Sequence, residues 1–132
     1  MNNIGAVFLF ICLFMTACAT SPEGIKRQPS DFEYTINSSN LPEVSECLLR
    51  KMEAYPVLVG FSFEDRTMPV QIRQFTDNAE LFQMYNFYIA TLIQLQKVNA
   101  SEIRATLHVG NHIMLAQDKV RIAYTNFIQK CP

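Results

Sequence analysis

Leu81-Phe82-Gln83-Met84-Tyr85-Asn86-Phe87-Tyr88-Ile89-Ala90-Thr91-Leu92-Ile93-Gln94-Leu95-Gln96-Lys97 reads two ways. A helix would align Leu81, Tyr85, Tyr88, Leu92 and Leu95; a strand would align Phe87, Ile89, Thr91, Ile93 and Leu95. Aromatic and β-branched side chains suit a pleated surface, and their enrichment favours a strand over Asn86–Gln96. Glu80 to Tyr85 then reads as a short helical turn ahead of it. Val98-Asn99-Ala100-Ser101 turns the chain into Glu102–Val109, a second alternating run, so the stretch predicts a strand pair.

Downstream, Gly110-Asn111 marks a turn. From about Met114 the apolar positions Leu115, Val120, Ala123, Tyr124, Phe127 and Ile128 trace one helical stripe, with Asp118 early and Lys130 late. Upstream, Val57, Val59, Phe61 and Phe63 alternate, Glu64-Asp65-Arg66-Thr67 reads as a turn, and Val70–Gln74 alternates again as a half-exposed strand. The pair predicts a hairpin. Asp77-Asn78 makes the next break. Before them, Asn40 or Ser39 can cap a helix whose first turn holds Pro42 and whose stripe is Val44, Leu48 and Met52. Its span is Pro42 to Ala54, closed by Pro56. The sum is an α+β domain: an antiparallel sheet of about four strands, with an N-terminal and a C-terminal helix packed on one face.

The chain has 132 residues, 49% apolar and 17% charged, and its net charge is −1. That composition excludes a disordered polar tail. Without a basic run, a nucleic-acid-binding surface has no support.

Familiar catalytic patterns are missing from the sequence. It has no Gly-x-Ser-x-Gly elbow and no glycine-rich phosphate loop, and only 4 glycines. His108 and His112 have the i, i+4 spacing of a helical metal site. Gly110-Asn111 lies between them, however, and a two-residue turn there would point the imidazoles to opposite sides. Glu64 and Asp65 are adjacent acids and read as a solvated turn. No metal, cofactor or catalytic residue is expected, and a small hydrolase is the weakest functional class. The aromatic run Phe82, Met84, Tyr85, Phe87, Tyr88 reads first as core. Where part of it is exposed, it would mark a protein partner, with Phe82, Tyr85, Phe87 and Tyr88 as the candidate contacts. A sheet edge that accepts a partner strand is the other route.

The N-terminus is a different kind of segment. Ile4–Ala17, IGAVFLFICLFMTA, is about 14 residues without charge, too short for a standard membrane span and of signal-peptide length. The first charged residue is Glu23. The run ends in Met15-Thr16-Ala17-Cys18, and here the chain resembles the precursors of bacterial lipoproteins, whose cleavage box ends in small residues before a cysteine. The box opens on Met15 where Leu is commoner, and Met1-Asn2-Asn3 brings no Lys or Arg. The resemblance implies cleavage before Cys18, acylation of Cys18 and stable anchoring in membrane lipid. Ala19, in place of the Asp that often retains such proteins in the inner membrane, implies sorting to the outer membrane, with the domain facing the periplasm.

The organisation that follows is residues 1–17 as signal peptide, 18–40 as lipidated cysteine and flexible tether, and 41–132 as a single domain. A coil of about 22 residues spans ~25 Å. Phe32, Tyr34 and Ile36 alternate as an edge strand would, in which case the tether ends near Ser30. After export Cys12 is gone and Cys18 is acylated. Cys47 and Cys131 remain, and a disulfide between them is expected in an oxidising periplasm. The expected function is a non-enzymatic binding or assembly module of the envelope, pilotin-like or accessory to a secretion machine, with an envelope protein as partner. The alternative is a periplasmic inhibitor of a lysozyme-type enzyme, with the Glu64-Asp65-Arg66 turn as its tip.

Overall fold

The computed structural model describes residues 21–55, 57–58, 65–66, 68–85, 87–110 and 117–132. Their elements run α1 (Pro22–Ile25), β1 (Phe32–Ile36), α2 (Leu41–Ala54), β2 (Val57–Leu58), β3 (Asp65–Arg66), β4 (Val70–Gln74), β5 (Asn78–Tyr85), β6 (Tyr88–Asn99), β7 (Glu102–Val109) and α3 (Gln117–Lys130). Five strands form one antiparallel sheet in the order β1-β7-β6-β5-β4, while β2 and β3 pair with each other. The α+β class holds, with one strand more than the expected four.

α2 begins where the sequence chemistry places it, whereas Met114 and Leu115, at the expected start of the last helix, lie outside the described residues. Asn40 Oδ1 accepts the Glu43 amide at 3.2 Å, which satisfies one of the donors that the first turn leaves unpaired, and the Asn40 side-chain amide donates to the Glu43 carboxylate at 3.1 Å. Leu41, Val44, Leu48 and Met52 then fall on one buried stripe of α2. In α3 the stripe is Val120, Tyr124 and Ile128. Both stripes meet the same face of the sheet, formed by Ala79 and Leu81 of β5, Ile93 and Leu95 of β6, and Ile103, Ala105 and Leu107 of β7. Cys47 and Cys131 clamp the two helices together, with Sγ–Sγ 2.02 Å and Cα–Cα 5.8 Å.

Three sequence expectations change. Glu80–Tyr85 is not a helical turn but the body of β5, paired from Ala79↔Leu95 to Tyr85↔Tyr88. Leu81 and Gln83 face the helices while Phe82 faces the other way, and all three are buried, so no one-sided alternation announces the strand. Val70–Gln74 does not pair with the Val57 run. Residues Val57–Leu58 pair with Asp65–Arg66, which are therefore strand rather than turn, and β4 pairs with β5 through a tight turn closed by the Phe75 amide on the Asn78 carbonyl, 2.8 Å. Val59 to Glu64 lie outside the described residues.

The third change concerns the tether. Residues 21–40 belong to the fold. β1 pairs along its full length with β7, from Phe32↔Leu107 to Ile36↔Ile103, and ends the sheet as an edge strand. Ahead of it, α1 lies on the sheet face that the long helices leave bare. Ser21 Oγ caps it by accepting the Gly24 amide at 3.2 Å. Pro22 and Ile25 are buried, and Ile25 packs with Phe82, Ile89 and Leu92 in a second, smaller core. The physical reason is that β5 and β6 carry apolar side chains on both faces. The bare face has to be covered, and this segment supplies the cover.

At the far end of β7, Gly110 donates its amide to the Ala90 carbonyl at 2.7 Å. A Cβ at Gly110 would sit 2.1 Å from the Ile89 carbonyl oxygen, so only glycine lets the backbone pass there. Among the described residues no helix is long and apolar enough to cross a membrane.

Candidate functional site

The face of the sheet opposite α2 and α3 is the part of the described molecule that is not closed over by long helices. Residues Ser21 to Asp31 run across it as a strap. Glu23 accepts from Arg73 of β4 at 2.9 Å. Lys26 pairs with Glu80 of β5. Asp31 fixes the other end: its Oδ2 accepts the Val109 amide at 2.8 Å and its Oδ1 accepts from Arg121 of α3 at 3.1 Å. The Arg73 and Glu80 contacts lie together because these two residues are directly opposite each other on β4 and β5 and share a face.

Glu80 is itself buried, and its second carboxylate oxygen lies 3.8 Å from Arg73. The Arg73 guanidinium also stands 5.3 Å over the Phe82 ring, a cation–π arrangement. Beside this cluster a polar cavity of about 320 Å3 opens between Lys26, Glu80, Gln94, Gln96, Arg104 and Thr106. Its lining offers hydrogen-bond donors and acceptors of both kinds and suits polar side chains of a partner better than an apolar ligand.

His108 lies on the same face, under the strap. It is 4% exposed, and its Nδ1 has no partner among the described residues. Burial holds its pKa below the ordinary imidazole value, against the opposite pull of Asp31, the Pro29 carbonyl and Glu33. His112 lies outside the described residues, and among those described no cluster of His, Cys, Asp and Glu could hold a metal ion.

The aromatic candidates do not form one patch. Phe82 is buried beneath α1. Tyr85 pairs through its backbone with Tyr88 at the end of the β5–β6 hairpin, and Tyr88 is half-buried. Phe87, at the hairpin tip, is 79% exposed. Two exposed apolar residues that the sequence reading did not single out are Ile72 on β4 and Phe75 just after it, the latter 56% exposed. They accompany the second edge of the sheet, where, among the described residues, β4 pairs on one side only, with β5. Nothing in Val70–Gln74 alone marks an edge, because edge status follows from which strands pair. Cys47 and Cys131 are joined as described, whereas Cys18 and Glu64 lie outside the described residues.

No protein-family model matches the chain, and comparison with curated proteins returns no match.

Proposed function

We propose that the chain is a lipid-anchored, non-enzymatic binding module of the bacterial envelope, attached through acylated Cys18 and facing the periplasm from the outer membrane. The observation that carries this reading is the apolar run Ile4–Ala17 ending in Met15-Thr16-Ala17-Cys18. The disulfide between Cys47 and Cys131 is consistent with it, because structural disulfides persist in oxidising compartments. For the binding role, the support is the β4 edge. Among the described residues β4 has a strand neighbour on one side only, and such an edge can accept an extended segment of a partner; Ile72 and Phe75 flank it with apolar surface. An envelope protein that offers such a segment to an anchored receptor fits a pilotin-like or secretion-accessory role.

The test is isolation of the tagged protein from gently solubilised native envelopes, with Cys18→Ala and Phe75→Asp in parallel and mass spectrometry of co-purifying chains. One dominant envelope protein is expected, mislocalised or lost with Cys18→Ala and depleted with Phe75→Asp. Recovery of a muramidase with both the anchored and the Cys18→Ala forms would replace this reading with inhibition of a lysozyme-type enzyme. Absence of any partner would remove the assembly role.

A further inference from the structure

We propose that the open, polar half of the bare sheet face binds a small anionic saccharide unit, a polyhydroxylated ring that carries a carboxylate. This site is separate from the β4 edge and does not depend on the lipid anchor.

The strand register divides that face in two. Phe82, Leu92 and His108 stand opposite one another on β5, β6 and β7, and the strap lies over this row. The next two rows are polar from strand to strand: Glu80, Gln94 and Thr106, then Asn78, Gln96 and Arg104. Lys26 of the strap walls them on one side, and the cavity of about 320 Å3 lies between. That volume is at the lower end of ligand sites, which run about 300–1,000 Å3, so it takes one small unit.

Charge sets the sign of the ligand. Glu80 is the carboxylate in the lining, and it is already matched: Lys26 pairs with one oxygen, and Arg73 lies 3.8 Å from the other. Arg104 is exposed in the same cavity and has no ion-pair partner among the described residues. Its guanidinium can take a carboxylate through two parallel hydrogen bonds.

The neutral groups set the rest. The side chains of Asn78, Gln94, Gln96 and Thr106 make no hydrogen bond within the described fold. Each amide offers donors and an acceptor, and the hydroxyl offers both as well. An acidic side chain of a protein would answer Arg104, but it only accepts and would leave the amide carbonyls unmatched. Ring hydroxyls donate and accept. β6 and β7 each have strand neighbours on both sides, so a peptide backbone cannot add here as a strand. The apolar side chains of Ala79 and Leu95 belong to the core on the helix side and offer a peptide no pocket. A densely hydroxylated acid fits the groups that remain.

The test is titration of the full-length protein in a sugar-free detergent, at constant ionic strength, with glucuronate, glucose, acetate and triglutamate. The side-chain amide signals of Asn78, Gln94 and Gln96 are followed by NMR. Glucuronate should shift all three with a low-millimolar Kd, and glucose and acetate, each lacking half of the match, should bind about tenfold more weakly. Arg104→Gln should bring glucuronate down to the level of glucose with the urea midpoint unchanged. Gln96→Ala should weaken glucuronate and glucose alike, by about threefold, and leave acetate as it was. Acetate binding as tightly as glucuronate would reduce the site to a surface cation and overturn the inference. Triglutamate binding more tightly than glucuronate would make the cavity a protein-docking surface and overturn it too. So would native affinity in Arg104→Gln, or no amide shift with glucuronate up to ~50 mM.

Discussion

Gln83 shows how a polar side chain settles in this core. It is fully buried, and its carbonyl oxygen accepts from both Thr91 Oγ1, at 3.1 Å, and the Tyr124 hydroxyl, while its amide donates to the Met68 carbonyl at 2.9 Å. Burial pushes the Tyr124 phenol above its ordinary value, so the ring stays neutral and donating. Removing one member should cost less than removing the hub. Tyr124→Phe leaves Gln83 with Thr91 and should cost about 1 kcal/mol. Gln83→Leu takes this partner from two hydroxyls and a carbonyl in the core and should cost roughly 2–4 kcal/mol. Urea unfolding of the two variants gives the comparison, and equal losses would mean the network is not organised around Gln83. His108 makes a second expectation. Its folded pKa lies below the unfolded value of ~6.5, so the unfolded chain binds more protons. Its stabilising share is complete above that value and is lost as pH falls below it and through the lower folded pKa. Unfolding midpoints at pH 8 and pH 5.5 should therefore differ more for the native chain than for His108→Gln, and an unchanged difference would contradict this.

Among the elements, β5 and the strap depend on each other. β5 is apolar on both faces only because α1 returns to cover Phe82, and α1, at four residues, has no stability of its own without Ile25 in that small core. A periodicity argument sees neither half. Leu81–Tyr85 lacks the one-sided alternation of a half-buried strand. Ser21–Ser30 has two buried residues, Pro22 and Ile25, in an otherwise polar run, and a spacing of three resembles the background of a linker. The elements that were readable have one apolar face and a clear stop signal. α2 has Asn40 at its start and Pro56 beyond its end. β6 and β7 have a turn between them in which the Ser101 amide donates to Asn99 Oδ1 at 2.9 Å.

Across the domain, the disulfide joins residues 84 apart in sequence and ties α2 to the chain end behind α3. The loop it closes spans most of the described fold, so the chain-entropy contribution is about 4–5 kcal/mol, a large share of a small domain's stability. Reduction, or the double variant Cys47→Ala with Cys131→Ala, should lower the guanidinium midpoint accordingly. A shift near zero would mean that the reduced unfolded chain is already compact, and the clamp would then serve geometry rather than stability.

Local chemistry was enough for the two long helices, the β6–β7 pair and the α+β class. Each depends on neighbours within one or two turns of chain, where side-chain spacing and caps act directly. The order β1-β7-β6-β5-β4, the edge character of β4 with Ile72 and Phe75 beside it, the burial of Phe82, and the recruitment of Ser21–Asp31 into the fold were decided only by packing. They depend on which apolar face remains bare once α2 and α3 have docked, and that remainder is a property of the assembled sheet, which no window of sequence contains.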